Sequence, residues 1–216
     1  MATKARSRGM LIETPNEASF LGELPEGFAA IDPPYSVRFT LEGTKPYLFN
    51  RYNADLIEAD PDTQPTRRVK KGAPVESMVT VNDKGQLCAA GEQVRMAIIN
   101  AGKNYRNPRA KAGALSTVLR EGLVTESELC SFGVKDWEFE DTRRARHSQS
   151  FVTKVRPGLL AGWKLSCQIG VVLPQYIIPR VIHQCLVDAG RIGGIGDGRA
   201  LGFGRFIPTR FEVITG

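Results

Sequence analysis

Histidine is nearly missing from this chain: His147 and His183 are the only 2 in 216 residues. No histidine–aspartate ligand constellation for a metal and no nucleophile–histidine–acid triad stands out in the sequence. Cysteine is scarce too. Cys88, Cys130, Cys167 and Cys185 are widely spaced without a Cys-x-x-Cys pair, so reduced core residues are expected rather than zinc ligands or disulfides. No run of 18 apolar residues occurs, which argues against a membrane-spanning helix and a membrane partner. The basic start, Met1–Gly9, is not followed by an apolar signal core, so a cytoplasmic location is expected. The phosphate-binding pattern Gly-x-x-x-x-Gly-Lys-[Ser/Thr] is absent. No cofactor and no resident metal are expected.

What remains is a chain with 42% hydrophobic and 24% charged residues and a net charge of +6. That composition suits a globular domain, and its charge modestly favours a polyanionic partner. Its most unusual stretch is Gly190–Phe206, which has 7 glycines and three arginines, Arg191, Arg199 and Arg205. Glycine lets a backbone turn sharply or approach a ligand closely. Successive amides can form an anion-binding concavity, and arginine adds planar, bidentate forks. Phosphate is the ligand class this implies. The order here is helix, glycines, strand, whereas a dinucleotide fingerprint needs strand, glycines, helix. The plainer alternative is a glycine-rich connection with exposed arginines.

Residues 1–34 read as an irregular, proline-containing arm, followed by a single domain over 35–216 with insertions at about 43–76 and 105–142. In Tyr35–Glu42, Val37, Phe39 and Leu41 alternate with Ser36, Arg38, Thr40 and Glu42, as in a half-buried strand. Residues 53–75 turn from acidic (Asp55, Glu58, Asp60, Asp62) to basic (Arg67, Arg68, Lys70, Lys71) without any apolar period. They read as an exposed excursion whose basic end can lie on nucleic acid or simply in solvent. Its acidic end is read as solvated rather than as a magnesium site. A hairpin is expected around Asn82–Gly85, then a helix over 92–104, a basic segment with Arg106 and Arg109, and a short helix over 112–120. Strands are expected over 143–156 and 162–172 as an antiparallel pair. Ile178, Val181, Ile182, Cys185, Leu186 and Ala189 make an apolar helical stripe over 178–189. Pro179 suits its first turn and Gly190 the position past its end. A strand over 204–214 closes the order.

Without the insertions, the order is β-α-β-β-α-β. This predicts an α+β, ferredoxin-like (RRM-like) core: an antiparallel sheet with two helices on one face and the other face open. Arg38, Lys164 and Gln168 are expected on that open face, joined by Lys154 or Arg156, with Arg143, Arg144 and Arg146 entering the neighbouring strand. Tyr47, Phe49, Tyr52 and Tyr105 are candidates for base stacking, worth about 1–3 kcal/mol per base, with core packing as the alternative for each.

A ferredoxin-like core whose second helix runs into Gly194–Phe206, Gly-Ile-Gly-Asp-Gly-Arg-Ala-Leu-Gly-Phe-Gly-Arg-Phe, resembles the RAMP superfamily of CRISPR-associated proteins. It is similar to their backbone subunits, which polymerise along guide RNA. Gly43–Asn53 and Ala189–Arg199 also resemble uncharacterised RAMP-like proteins of phages and prophages. The resemblance implies single-stranded nucleic acid, RNA or DNA, held in a largely sequence-independent way by copies lined up as a filament or ring. It carries Gly194, Gly196, Gly198, Arg199, Gly202 and Gly204 over as a backbone-contacting element. Two alternatives stand beside this non-enzymatic binder. One is a metal-independent RAMP-type endoribonuclease using His147, since His183 falls on the polar side of its helix. The other is a subunit mimic that blocks assembly.

Overall fold

The computed structural model describes residues 34–51, 75–147 and 150–215, with the side chains of 145–147 and 150–152 left aside. Strand β1 (Tyr35–Gly43) lies inside a four-stranded sheet, and its alternation holds: Tyr35, Val37, Phe39 and Leu41 are buried. Two short strands follow, β2 (Tyr47–Leu48) and β3 (Thr80–Val81), then β4 (Leu87–Ala90). Asn82 makes the β3–β4 turn by accepting the Lys84 and Gln86 amides on its side chain, and Gly85 takes φ +70°. Helices α1 (Gly91–Ala101) and α2 (Ser116–Gly122) lead to β5 (Leu123–Thr125) and β6 (Leu129–Ser131). Strands β7 (Phe139–His147), β8 (Ser150–Leu159) and β9 (Lys164–Val171) come next, then α3 (Pro179–Asp188) and β10 (Phe206–Thr215).

The main sheet has the order β10-β1-β9-β5, all antiparallel. With α1 and α3 packed on its buried side, this is the ferredoxin-like βαββαβ core. The register places Arg38 between Gln168 and Glu212, and Phe39 between Cys167 and Phe211. It shifts between Thr40 and Leu41, where Thr209, next to Pro208, is the extra residue of a bulge in β10. Proline cannot donate to the ladder and is tolerated at an edge or bulge.

One core strand is not where the pattern predicts it. The second strand is β5, of 3 residues, and it lies within the 105–142 segment read as an insertion. Strand 143–156 does not pair with 162–172. It belongs to the β7–β8 hairpin, which forms a separate sheet in the order β2-β8-β7. β8 runs straight through Pro157 and Gly158 to Leu159, and the chain reverses at Gly162, φ +98°. Arg143, Arg144 and Arg146 thus belong to the hairpin sheet and not to the core sheet.

The sheets meet on an aromatic cluster. Tyr47 packs 4.8 Å from Phe49, 4.8 Å from Phe132 and 5.7 Å from Trp163, which lies 6.5 Å from Phe206. The Trp163 indole donates to the Lys45 carbonyl at 2.8 Å and the Tyr47 hydroxyl to Gln93 at 3.1 Å, so the polar ends of these rings are satisfied. All 4 cysteines are free and buried. Burial pushes the Cys185 thiol up to about 12, and the nearby Asp188 charge adds to this. The folded protein is therefore expected to be inert to a chromogenic thiol reagent at pH 7.5, with all thiols titrating in denaturant. Fast reaction of the folded protein would contradict this packing.

Candidate nucleic-acid interface

The glycine-rich loop does not begin where the helix pattern stops. Beyond Asp188 the chain continues as a π-type turn over Ala189–Gly193, so Gly190 is inside the turn rather than past the helix end. A Cβ at Gly190 would meet the Phe206 carbonyl oxygen. The Gly194 amide closes the turn on the Ala189 carbonyl at 2.6 Å. The chain then folds back on itself, with the Ile195 amide donating to Gly204 O at 3.0 Å. It also lies across β2: Gly204 N donates to Pro46 O at 2.7 Å, and Asp197 N to Leu48 O at 3.0 Å. A Cβ at Gly196, φ +82°, would sit 2.7 Å from the Tyr47 ring. These amides are thus engaged by the protein's own carbonyls, and the glycines allow that close approach. A tight turn over Gly198–Gly202, closed from Leu201 N to Gly198 O at 2.8 Å, projects Arg199 outward.

Asp197 ties this loop to the hairpin. Its Oδ2 accepts from Arg156 Nε at 2.8 Å and from Lys154 Nζ at 3.2 Å. Arg156, only 8% exposed, also reaches Asp141 at 3.5 Å, and Arg143 Nε donates to Asp141 Oδ1 at 2.7 Å. The Arg143 guanidinium lies over the Phe203 ring at 5.0 Å, a second link between hairpin and loop. Burial pushes the Asp197 carboxyl up, but the Gly198 amide and the Lys154 and Arg156 charges outweigh it and hold it below the ordinary carboxylate range. Sequence reading passed over Asp197, although its place between Gly196 and Gly198 was the available signal. Arg143, Arg144 and Arg199 remain exposed on this joined unit, and Arg191 is exposed on the π-type turn. Arg205 is half-buried, with Nη1 buried and lacking a hydrogen-bond partner among the described residues.

The open face of the main sheet is more balanced than expected. Arg38, Lys164 and Gln168 do stand opposite the buried rows of β1 and β9. Arg38, however, bonds Gln168 at 2.9 Å, while Glu126 accepts from Gln168 at 2.6 Å and from Ser36 at 2.5 Å. Glu42 pairs across from Lys164, and Glu212 ion-pairs with Arg210 at 2.5 Å. Carboxylates thus alternate with cations over this face.

Tyr47 and Phe49 are buried at 2% and 3% exposure. They belong to the core, and their rings are not presented to bases. Tyr105 is half-buried, and its hydroxyl bonds Asp188. Arg106 donates to the Lys111 carbonyl at 2.8 Å, and Arg109 pairs with Glu121 at 2.5 Å beside the Tyr176 ring, far in sequence from the loop. Tyr52, Arg67, Arg68, Lys70 and Lys71 lie outside the described residues, as do the side chains of Arg146 and His147 and the acidic run from Asp55 to Asp62. His183 is exposed on α3, edge-on to Phe211 at 5.3 Å. Among the described residues no metal-holding cluster of histidine, cysteine and carboxylates occurs, and no helix is long and apolar enough to cross a membrane.

Fold and site together define a ferredoxin-like α+β domain with an added hairpin sheet, the hairpin bolted to a glycine-rich loop. No family model matches the chain, and no curated protein matches it in sequence. Among solved structures it is similar to a chain in the cryo-EM structure of the type III-B Cmr-beta bound to cognate target RNA. The identity is 8% and the TM-score 0.53, over 84% of this chain and 61% of that one. It is also similar, at 8% identity and a TM-score of 0.42, to Cmr6 from Pyrococcus furiosus, over 83% of this chain and 100% of that one. At such identity the first likeness speaks for the fold.

Proposed function

We propose that this protein is a non-enzymatic binder of single-stranded nucleic acid. It grips the backbone at the junction of the glycine-rich loop and the β7–β8 hairpin, and copies assemble side by side along the strand. The observation that carries the reading is the junction itself. A charge network and a cation–π contact hold loop and hairpin together, and Arg143, Arg144 and Arg199 are left exposed on the result. Fixed guanidinium groups on a braced scaffold suit phosphates, and backbone contacts carry no sequence preference. The resemblance of Gly194–Phe206 to the RAMP loop and the fold likeness to a chain of an RNA-bound assembly support the same reading.

The test uses fluorescence anisotropy with labelled single-stranded RNA and DNA of mixed sequence. Arg143→Gln with Arg199→Gln is expected to weaken binding at least tenfold, since hydrogen bonds to charged groups are worth about 1.5–3 kcal/mol each. The slope of log affinity against log salt should also flatten by roughly 1.4, at about 0.7 per lost phosphate contact. Size exclusion with absorbance at 260 and 280 nm should show a large nucleic-acid-containing species that collapses with RNase or with DNase. Unchanged affinity in the double variant, or a protein that binds neither strand, would overturn the reading.

A further inference from the structure

A groove of about 360 Å³ lies away from this junction, where the β8–β9 turn meets the segment before β7. Phe132 and Trp163 form its floor, and Val134 and Leu160 stand at its walls, 44% and 53% exposed. Asp136 and Glu138 line it as well, with Lys164 as its cation. Glu138 is held in place, accepting the Leu160 amide at 2.5 Å. The combination is an apolar slot with an acidic rim.

We infer that the occupant of this groove is this chain's own arm, residues Arg6–Ile12. Met10, Leu11 and Ile12 supply three consecutive apolar side chains, and Arg6 and Arg8 stand just before them. That order fits an apolar anchor beside basic groups able to meet Asp136 and Glu138. Taking these apolar side chains out of water favours their docking in the slot.

The reach also fits. The described chain starts at one end of β1, with Tyr35, and the groove lies by the other end, where Gly43 N donates to Trp163 O at 2.8 Å. Nine strand residues span about 26 Å. Residues 13–34 extend to about 75 Å, and a coil of that length averages roughly 25 Å end to end. A tether whose average span matches the distance gives close to the highest effective concentration, which favours docking on the same molecule over capture by another.

The test pairs a cross-link with a protection measurement. Leu11→Cys with Leu160→Cys, mildly oxidised, is expected to form a disulfide within one chain, seen as a faster-migrating monomer on a non-reducing gel and as a linked peptide by mass spectrometry. Leu11→Cys with Val124→Cys, the latter exposed on the open sheet face, should not cross-link. The native cysteines are buried and do not compete. In the unsubstituted protein, amide exchange over 134–138 and 159–164 should be at least tenfold slower than in a variant lacking residues 1–12. Disulfide-linked dimers would show that another copy supplies the arm and overturn the same-chain assignment. Equal exchange with no cross-link would overturn docking altogether. Neither readout involves nucleic acid, so the inference stands or fails separately from the proposed function.

Discussion

Gly204→Ala is expected to destabilise the protein by about 3 kcal/mol, which for a domain of this size lowers Tm by about 6–12 °C. Gly204 holds φ +68°, and a left-handed backbone costs an L-residue roughly 1–2 kcal/mol. The added Cβ would also collide with the Ile195 carbonyl oxygen. Backbone on both sides leaves no side chain to rotate away, so the loop must open and the Gly204–Pro46 and Ile195–Gly204 bonds must stretch. Gly202→Ala is the control. Gly202 also has positive φ, at +90°, but a Cβ there meets nothing within 4 Å. It should lose only the conformational part. Equal losses in the two variants, followed by circular dichroism on heating, would refute close packing as the reason for the glycine at 204.

Asp197→Asn is expected to cost about 2–3 kcal/mol at pH 7. Removing one partner of a buried pair costs about 3–5 kcal/mol, and the 28% exposure of Asp197 screens part of that. Arg156 would keep only one charged partner, Asp141, at 3.5 Å. The effect has a pH signature. Because the carboxyl is held below its ordinary range in the folded protein, its stabilisation is complete above the unfolded value near 3.8 and is lost as pH falls through the folded one. The gap between wild type and variant should therefore close in that acidic window. A gap that stays constant with pH would remove Asp197 charge from the account. The same variant also separates positioning from simple charge. Loss of a carboxylate raises the net positive charge, which alone strengthens binding to a polyanion. If Asp197 positions the loop on the hairpin, binding instead weakens about tenfold, and a tighter complex would overturn that role.

Much of the architecture was legible where side-chain periodicity ran long enough. β1 alternates over nine residues, and α3 carries a stripe behind Pro179, so both were placed within a residue or two. β5 was not, because in 3 residues an alternating pattern has no room to show itself. Its membership of the core comes from Leu123 lying opposite Val171, a pairing of residues distant in sequence. The hairpin was misassigned for the converse reason. Strand character was expected over 143–156, but local pattern does not name a partner, and those residues divide between β7 and β8, which pair with each other.

The amino-acid sequence by itself determined the α+β class, the order of the main elements, and the place of the glycine-rich stretch between the last helix and the last strand. These follow from composition and from local pattern, which each segment carries alone. Only the tertiary structure decided that Tyr47 and Phe49 are core, that the open sheet face mixes carboxylates with cations, and that Asp197 fastens the loop to Lys154 and Arg156. Burial and ion pairing depend on which distant segments come together, and residues 43 positions apart in the chain meet at 3.2 Å only once the sheets are assembled.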